Sequence, residues 1–269
     1  MRWLFRKFNL SSNAYYNFLK DRKALYREQK ACTQRKIVEI YHGANGVPGY
    51  RMMRDLLAPY GFLYCAATIY KYMSELGLRS VVRRKKPEHK RGNAHKTFPN
   101  LLNQNFDMDN PNEIWCTDFT YLHLADGTIR YNCTIIDLFD RSVLASLNGS
   151  QITAGLAIET LKIAIKRYKP GPGLILHSDQ GSQFTSKEFN HFCSNALIQQ
   201  SMSRAGCPYD NAPMERYYNT LKNEHIYLFS FKTKEDLDLA VNDFAYGWYN
   251  HVRPHTYNGG LTPCAARVA

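Results

Sequence analysis

No uninterrupted apolar run in this chain comes near the roughly 18 residues that a membrane-spanning helix requires, so no helical membrane span is expected. None of the seven cysteines belongs to a C-x-x-C pair, and several lie in apolar runs. They read as reduced thiols of a cytoplasmic protein. His251 and His255 have a spacing seen in metal sites, but with no cysteine pair beside them a zinc site is not expected. The opening Met1-Arg2-Trp3-Leu4-Phe5-Arg6-Lys7 breaks its apolar residues with charge too early for a secretory signal. Acidic residues are scarce at the front. Residues 1–100 hold 6 Asp/Glu against 21 Lys/Arg, whereas residues 101–269 hold 17 against 14. A basic front half on a mildly acidic back half points to a nucleic-acid-binding arm joined to a separate module.

What is present divides in the same place. A periodic helical segment over Arg27–Tyr41 is followed by short helices near Tyr50–Leu57 and Ala66–Leu76. A Pro59-Tyr60-Gly61 turn lies between those two, and Gly77 stops the second. Two short helices around a Gly-containing turn fit a helix-turn-helix. Arg51, Arg54, Tyr70 and Lys71 are its candidates for groove or phosphate contact. A plain helical bundle with charged outer faces would show the same pattern. Arg79–Lys96 then carries eight basic residues, among them Arg83, Arg84, Lys85 and Lys86, against the single acid Glu88. With Pro87, Gly92 and Pro99 nearby it reads as a basic linker that follows phosphates.

From Glu113 the periodicity changes. Strands are expected over 114–124, 129–138 and 142–147, with Asp126-Gly127 as a hairpin turn. A helix capped by Thr153 runs to about Tyr168. A buried strand over Leu174–Ser178 leads out into Asp179. Thr185 with Glu188 makes a capping box for a helix to Asn195, and a short strand covers 198–202. The breaker-rich loop 203–213 follows, with Asp210 or Asn211 as cap and Pro213 in the first turn of the next helix. That helix carries Glu215 and Lys222, seven residues apart and therefore on one face, beside the stripe Met214, Tyr218 and Leu221. A last amphipathic helix starts near Thr233, with Leu237, Val241, Phe244 and Trp248 on one side. Tyr249–His255 reads as a basic loop. Strands followed by alternating helix and strand indicate an α/β class with a mixed sheet.

Three carboxylates interrupt these elements: Asp118 within the first strand, Asp179 where a strand runs out, and Glu215 early in a helix. Carboxylates that converge suit hard cations such as Mg²⁺, and a pair of such ions can clamp both oxygens of a phosphoryl displacement. Taken alone, Asp179 reads equally well as an ordinary turn residue.

Trp115-Cys116-Thr117-Asp118, His177-Ser178-Asp179-Gln180-Gly181-Ser182-Gln183-Phe184 and Asn211-Ala212-Pro213-Met214-Glu215-Arg216, followed by Leu221-Lys222 and Glu224, stand in order. Between Asp179 and Glu215 lie 35 residues. This resembles the D,D-35-E signature of the second-reading-frame transposases of bacterial insertion sequences, relatives of retroviral integrases. Tyr249-Asn250, Arg253-Pro254-His255 and Leu261-Thr262-Pro263 resemble the C-terminal signature of the same family. No His/Cys zinc module of the retroviral kind precedes the core.

The resemblance implies a ribonuclease-H-like five-stranded mixed sheet with helices on both faces, preceded by an all-α helix-turn-helix domain. The expected division is 1–78 helical, 79–110 basic linker, 111–228 catalytic core and 229–269 a C-terminal helix and basic tail. It implies DNA cleavage and strand transfer with two Mg²⁺ (or Mn²⁺) ions held by Asp118, Asp179 and Glu215. DNA contacts are expected from Lys222, Arg216 and Asn211. The implied partners are double-stranded DNA (element ends and target), further copies of the chain, and the protein of an upstream frame, at the nucleoid when DNA is bound. A ribonuclease-H-like nuclease that cuts without joining, and a DNA-binding repressor or domesticated relic with an inactive core, remain compatible with the residues alone.

Overall fold

A computed structural model of the chain describes residues 2–9, 11–20, 23–82 and 97–269. The basic residues Arg83, Arg84, Lys85 and Lys86 lie outside the described residues. The chain forms two compact units, Met1–Val81 and Val82–Ala269.

The first unit is all helical: α1 (Arg2–Lys7), α2 (Ser12–Leu19), α3 (Ala24–Gly43), α4 (Tyr50–Leu57) and α5 (Ala66–Glu75). Its core gathers Ile37 of α3, Met53 and Leu57 of α4, and Ile69, Tyr72 and Met73 of α5. The turn between α4 and α5 passes through Gly61 at φ +82°, a left-handed conformation that disfavours any residue with a Cβ. The expected pair of short helices around a glycine turn is therefore present.

The second unit is a mixed five-stranded sheet. Its strands and helices run β1 (Ile114–His123), β2 (Ile129–Asp137), β3 (Val143–Gly149), α6 (Ala154–Tyr168), β4 (Ile175–Ser178), α7 (Ser182–Thr185), α8 (Lys187–Asn195), β5 (Gln199–Met202), α9 (Ala212–Glu224), α10 (Lys234–Asn242) and α11 (Pro263–Val268). Strand order is β3-β2-β1-β4-β5. The first three strands form the expected antiparallel meander, and β4 and β5 add parallel to β1. Side chains alternate across β1, so the sheet has two buried faces. Trp115, Ile135 and Leu176 pack under α6 and α8 on one face. Cys116, Leu122 and Ile136 pack under α9, α10 and the chain that follows on the other. Phe98 packs against the first of these cores and Leu102, Phe106 and Met108 belong with the second, so the chain joins this unit well before β1.

Three local expectations are corrected. Ser186, not Thr185, caps α8: its Oγ accepts from Phe189 N–H at 3.2 Å, while the Thr185 hydroxyl donates to the Gly181 carbonyl. Asn211 takes the N-cap position of α9 but its side chain makes no cap bond, being turned toward Thr117, and Asp210 is held by Arg204 instead. Tyr249–Val252 is not a loop but the end of a π-helical segment, Asp243–Val252. The buried Asn250 explains its geometry, since it accepts from Val143 N–H at 2.8 Å and donates to the Val143 carbonyl at 2.9 Å. The segment is thereby pinned to β3.

Arg267 of α11 closes the unit. Its guanidinium reaches Asp140 at 2.8 Å, Asp137 at 2.9 Å, Ser142 at 2.9 Å and Asn112 at 3.0 Å. Both aspartates are fully buried. Removing one partner of a buried ion pair leaves a desolvated charge behind. Arg267→Ala is therefore expected to destabilise the second unit by about 3–5 kcal/mol, read from denaturant unfolding followed by tryptophan fluorescence. A loss below about 1 kcal/mol, the worth of an exposed pair, would contradict this account of α11.

Candidate active site

Two of the three carboxylates are set by strand pairing. β1 and β4 run parallel with Cys116 opposite His177. The ladder ends there; Asp118 lies two residues further along β1 and Asp179 two residues beyond His177, just past the end of β4, and the charge of Asp179 acts on Asp118. β4 ends at Ser178, so Asp179 stands at the carboxyl end of a strand, a position where open α/β sheets collect ligand-binding groups. Both aspartates are half-buried. Asp118 Oδ1 accepts from Phe119 N–H at 2.7 Å, and Asp179 Oδ1 accepts from Gly181 N–H at 2.9 Å.

The third carboxylate comes from α9. This helix follows a 3₁₀ turn, Pro208–Asn211, with Pro213 in its first turn as expected. Met214, Tyr217, Tyr218 and Leu221 bury one side of it against the sheet. Glu215 and Arg216 are exposed and Lys222 is half-buried. The Lys222 ammonium lies over the Tyr121 ring, 4.4 Å from its centroid, and is attracted by Asp118.

The electrostatics agree with this assembly. Burial raises the Asp118 carboxyl well above the usual carboxylate range. The charges of Asp179 and Glu215 push it up further, while the Phe119 N–H and Lys222 oppose the rise. Burial likewise raises Asp179, against its bond from Gly181. Burial lowers Lys222, and Asp118 opposes that. Burial disfavours the charged form of both carboxyls, and a cation beside them would favour it. Among the described residues no three His, Cys, Asp or Glu side chains are gathered closely enough to enclose an ion. The donor set is all oxygen, as hard divalent cations require.

The walls of the site were only partly foreseen. Asn211 is 5% exposed: its Nδ2 donates to the Thr117 carbonyl at 3.4 Å, and its Oδ1 has no hydrogen-bond partner among the described residues. The loop before α9 is latched by a fork of Arg204 on the fully buried Asp210, with Nε–Oδ2 and Nη2–Oδ1 both 2.9 Å. His177, one strand position before the loop, donates or accepts at both ring nitrogens, to Ser201 at 2.9 Å and Ser203 at 3.1 Å. Burial lowers its pKa to about 4, so it stays neutral. At the other end of α9, Glu224 forms a bidentate pair with Arg253, at 2.7 and 2.8 Å. This joins two motifs that the sequence shows only as separate signatures. Among the helix-turn-helix candidates, Arg51 and Arg54 are exposed on α4, and Tyr70 and Lys71 are exposed on α5. Arg54 is already paired with Asp55 at 2.6 Å.

Comparison with known proteins adds the family. Integrase core domain descriptions match residues 109–208 and 196–263, and an HTH-like domain description matches residues 27–86. The chain is 34% identical over 222 residues to the transposase for insertion sequence element IS904 of Lactococcus lactis subsp. lactis (strain IL1403), covering 82% of this chain and 87% of that protein. It is 32% identical over 265 residues to the putative transposase InsK for insertion sequence element IS150 of Escherichia coli (strain K12), covering 98% and 92%. A chain in the solved simian T-cell lymphotropic virus intasome in complex with PP2A regulatory subunit B56 gamma is alike in fold. Its TM-score is 0.51 at 18% identity, over 87% of this chain and 74% of that one.

A pH dependence follows from the facing carboxyls. An acid whose folded pKa lies above its unfolded one binds its proton more tightly in the fold. Stability then falls as pH rises from the ordinary carboxylate value through the raised folded one. Without divalent ions at neutral pH, Asp118→Asn is expected to raise the thermal midpoint by about 2–4 °C, the effect of one kcal/mol in a domain of this size. The gain should vanish below about pH 3, where the Asp118 carboxyl is protonated in the folded and the unfolded chain alike. A midpoint that falls at pH 7 would show that the carboxylate is stabilised by its surroundings instead.

Proposed function

The chain belongs to the insertion-sequence transposases that carry an integrase core domain, and from that premise we propose that Asp118, Asp179 and Glu215 are its catalytic carboxylates. DNA cleavage and strand transfer are its activity, and it is a polynucleotidyl transferase. The observation that supports this assignment is the parallel pairing of β1 with β4, together with the charge of Asp179 acting on Asp118.

In the first step water attacks a phosphodiester at the element end. The new P–O bond forms as the old one breaks, and a 3′-hydroxyl is freed. In the second step that hydroxyl attacks a phosphodiester of the target, so one phosphodiester is exchanged for another and no oxidant or covalent protein intermediate is required. Asp118, Asp179 and Glu215 would hold two divalent ions, Mg²⁺ or Mn²⁺, which would lower the pKa of the attacking hydroxyl and stabilise the leaving oxyanion. The ions would also offset the burial that raises Asp118 and Asp179, and the charges of Asp179 and Glu215 that raise Asp118 further. Lys222 would bind a phosphate next to the reacting one, a reading supported by its half-buried ammonium over the Tyr121 ring and beside Asp118. Arg216 is exposed on the same helix and supplies a second phosphate contact. Asn211 offers the DNA only its unpartnered Oδ1, from inside the site wall.

In this reading the helical unit grips element ends through Arg51, Arg54 and Lys71, and the basic residues Arg83–Lys86 follow the backbone. The proposed functional division is 1–78, 79–110, 111–228 and 229–269, with the stretch from Phe98 to Met108 packed on the second unit. The working form is a homo-oligomer on element ends and target DNA, and the protein of an upstream frame is a further partner. Among the described residues no helix is long and apolar enough to cross a membrane, in keeping with work in the cytoplasm at the nucleoid.

Two variants test the assignment in one assay with labelled element ends and Mg²⁺. Asp179→Asn is expected to abolish cleavage and joining while leaving end binding within about twofold, since the charge that grips DNA lies elsewhere. Lost end binding would make Asp179 a structural residue. Lys222→Ala should slow joining by roughly 10²-fold with little change in thermal midpoint, and Lys222→Arg should recover part of the rate. Unchanged joining in Lys222→Ala would return that lysine to the solvated surface.

A further inference from the structure

Tyr217 and Tyr218 are consecutive and both buried on α9, and the sequence shows Tyr218 only as part of an apolar stripe. Their hydroxyls differ. That of Tyr217 has no hydrogen-bond partner among the described residues. That of Tyr218 donates to the backbone carbonyl of Asp118 at 2.6 Å and accepts from Thr134 N–H at 3.1 Å, with the Asn132 carbonyl at 3.3 Å. Asp118 and Thr134 are partners in the β1–β2 ladder. One phenol oxygen of α9 is thus inserted at the rung of the sheet that bears Asp118.

The place on the helix matters as much as the bond. Tyr218 follows Glu215 by three residues and precedes Lys222 by four, so the three share one face of α9. Burial holds the phenol protonated, so its hydroxyl remains a donor. Apolar packing alone fixes α9 against the sheet without specifying its slide along β1, whereas a hydrogen bond of this length specifies it to a fraction of an ångström.

We propose that Tyr218 is a positioning residue: its hydroxyl ties the helix bearing Glu215 and Lys222 to the backbone of Asp118, and so sets the spacing of the ion-binding carboxylates. This rests on the reading of Asp118 and Glu215 as ligands of the divalent ions. Groups that orient metal ligands from behind change metal affinity by about 10- to 100-fold when removed.

The test titrates Mg²⁺ against the thermal midpoint of the full chain, without DNA, for wild type and four variants. An ion that binds only the folded state stabilises it by RT ln(1 + c/Kd), where c is the free Mg²⁺ concentration, so the midpoint starts to climb near Kd, and fitting that climb gives Kd, the half-saturating concentration. Tyr218→Phe removes one oxygen and should raise the half-saturating Mg²⁺ concentration about tenfold. Tyr217→Phe, which removes an unpartnered hydroxyl, should leave it unchanged. Tyr218→4-aminophenylalanine keeps a donor at the same place and should restore the wild-type value. It also decides the matter if Tyr218→Phe fails to fold. Half-saturation unchanged in Tyr218→Phe, or raised equally in Tyr217→Phe or in the amino variant, overturns the proposal. Asp118→Asn separates the two levels: it should abolish the Mg²⁺ response. A response that persists there defeats the ligand reading itself, whatever Tyr218 does.

Discussion

The parallel pairing of β1 with β4 is the constraint on which the site depends. Ile114 opposite Ile175, Trp115 opposite Leu176 and Cys116 opposite His177 are a short ladder. Their side chains alternate between two buried faces, with Trp115 and Leu176 in one core and Cys116 in the other. A slip of one residue would turn each apolar side chain to the wrong face. The same pairing leads on to Asp118 and Asp179. The two carboxylates are therefore kept near each other by hydrophobic burial further along the strands; burial raises both pKa values, and the charge of Asp179 raises that of Asp118 further.

Around that pair the other elements act as fasteners. The Arg204–Asp210 fork closes the loop that leads into α9. Tyr218 ties the middle of α9 to β1, and Glu224 with Arg253 ties its end to the π-helical segment's exit. Asn250 and Arg267 bind that last stretch back to β3 and to the buried acids of the β2–β3 turn. Most of these are charge-assisted or buried bonds, which specify geometry more than they add net stability. A rigid frame suits a site that must present three carboxylates to two successive phosphoryl displacements.

Much of this was legible in the sequence, and the limit is physical. Asp118 announces itself because it breaks an apolar strand pattern, whereas Asp179, at the end of a strand, and Glu215, early in a helix, are singled out by the spacing and surroundings that match a signature. The meander, the Thr153 cap and the Gly61 turn follow from local rules that short windows obey. Ser186 outcompetes Thr185 as a cap only because the neighbouring turn of α7 occupies the Thr185 hydroxyl, which no window reveals. Asp210 looks like a cap until Arg204, six residues away, claims it. Tyr218 reads as one apolar stripe residue among several, since its hydroxyl acquires meaning only when Asp118, 100 residues earlier, lies beside it. The π-helical segment escapes for a similar reason: its pin, Asn250 on Val143, spans 107 residues.

The central claim is that Asp118 and Asp179 are held side by side as ion ligands with Glu215 facing them from α9. Anomalous diffraction from crystals equilibrated with Mn²⁺ tests this most directly. The account predicts an anomalous peak bridging the Asp118 and Asp179 carboxylates, with Glu215 turned toward it, and no such peak in Asp179→Asn crystals. Mn²⁺ bound elsewhere while these two carboxylates remain without an ion, or a peak that survives Asp179→Asn, would contradict it.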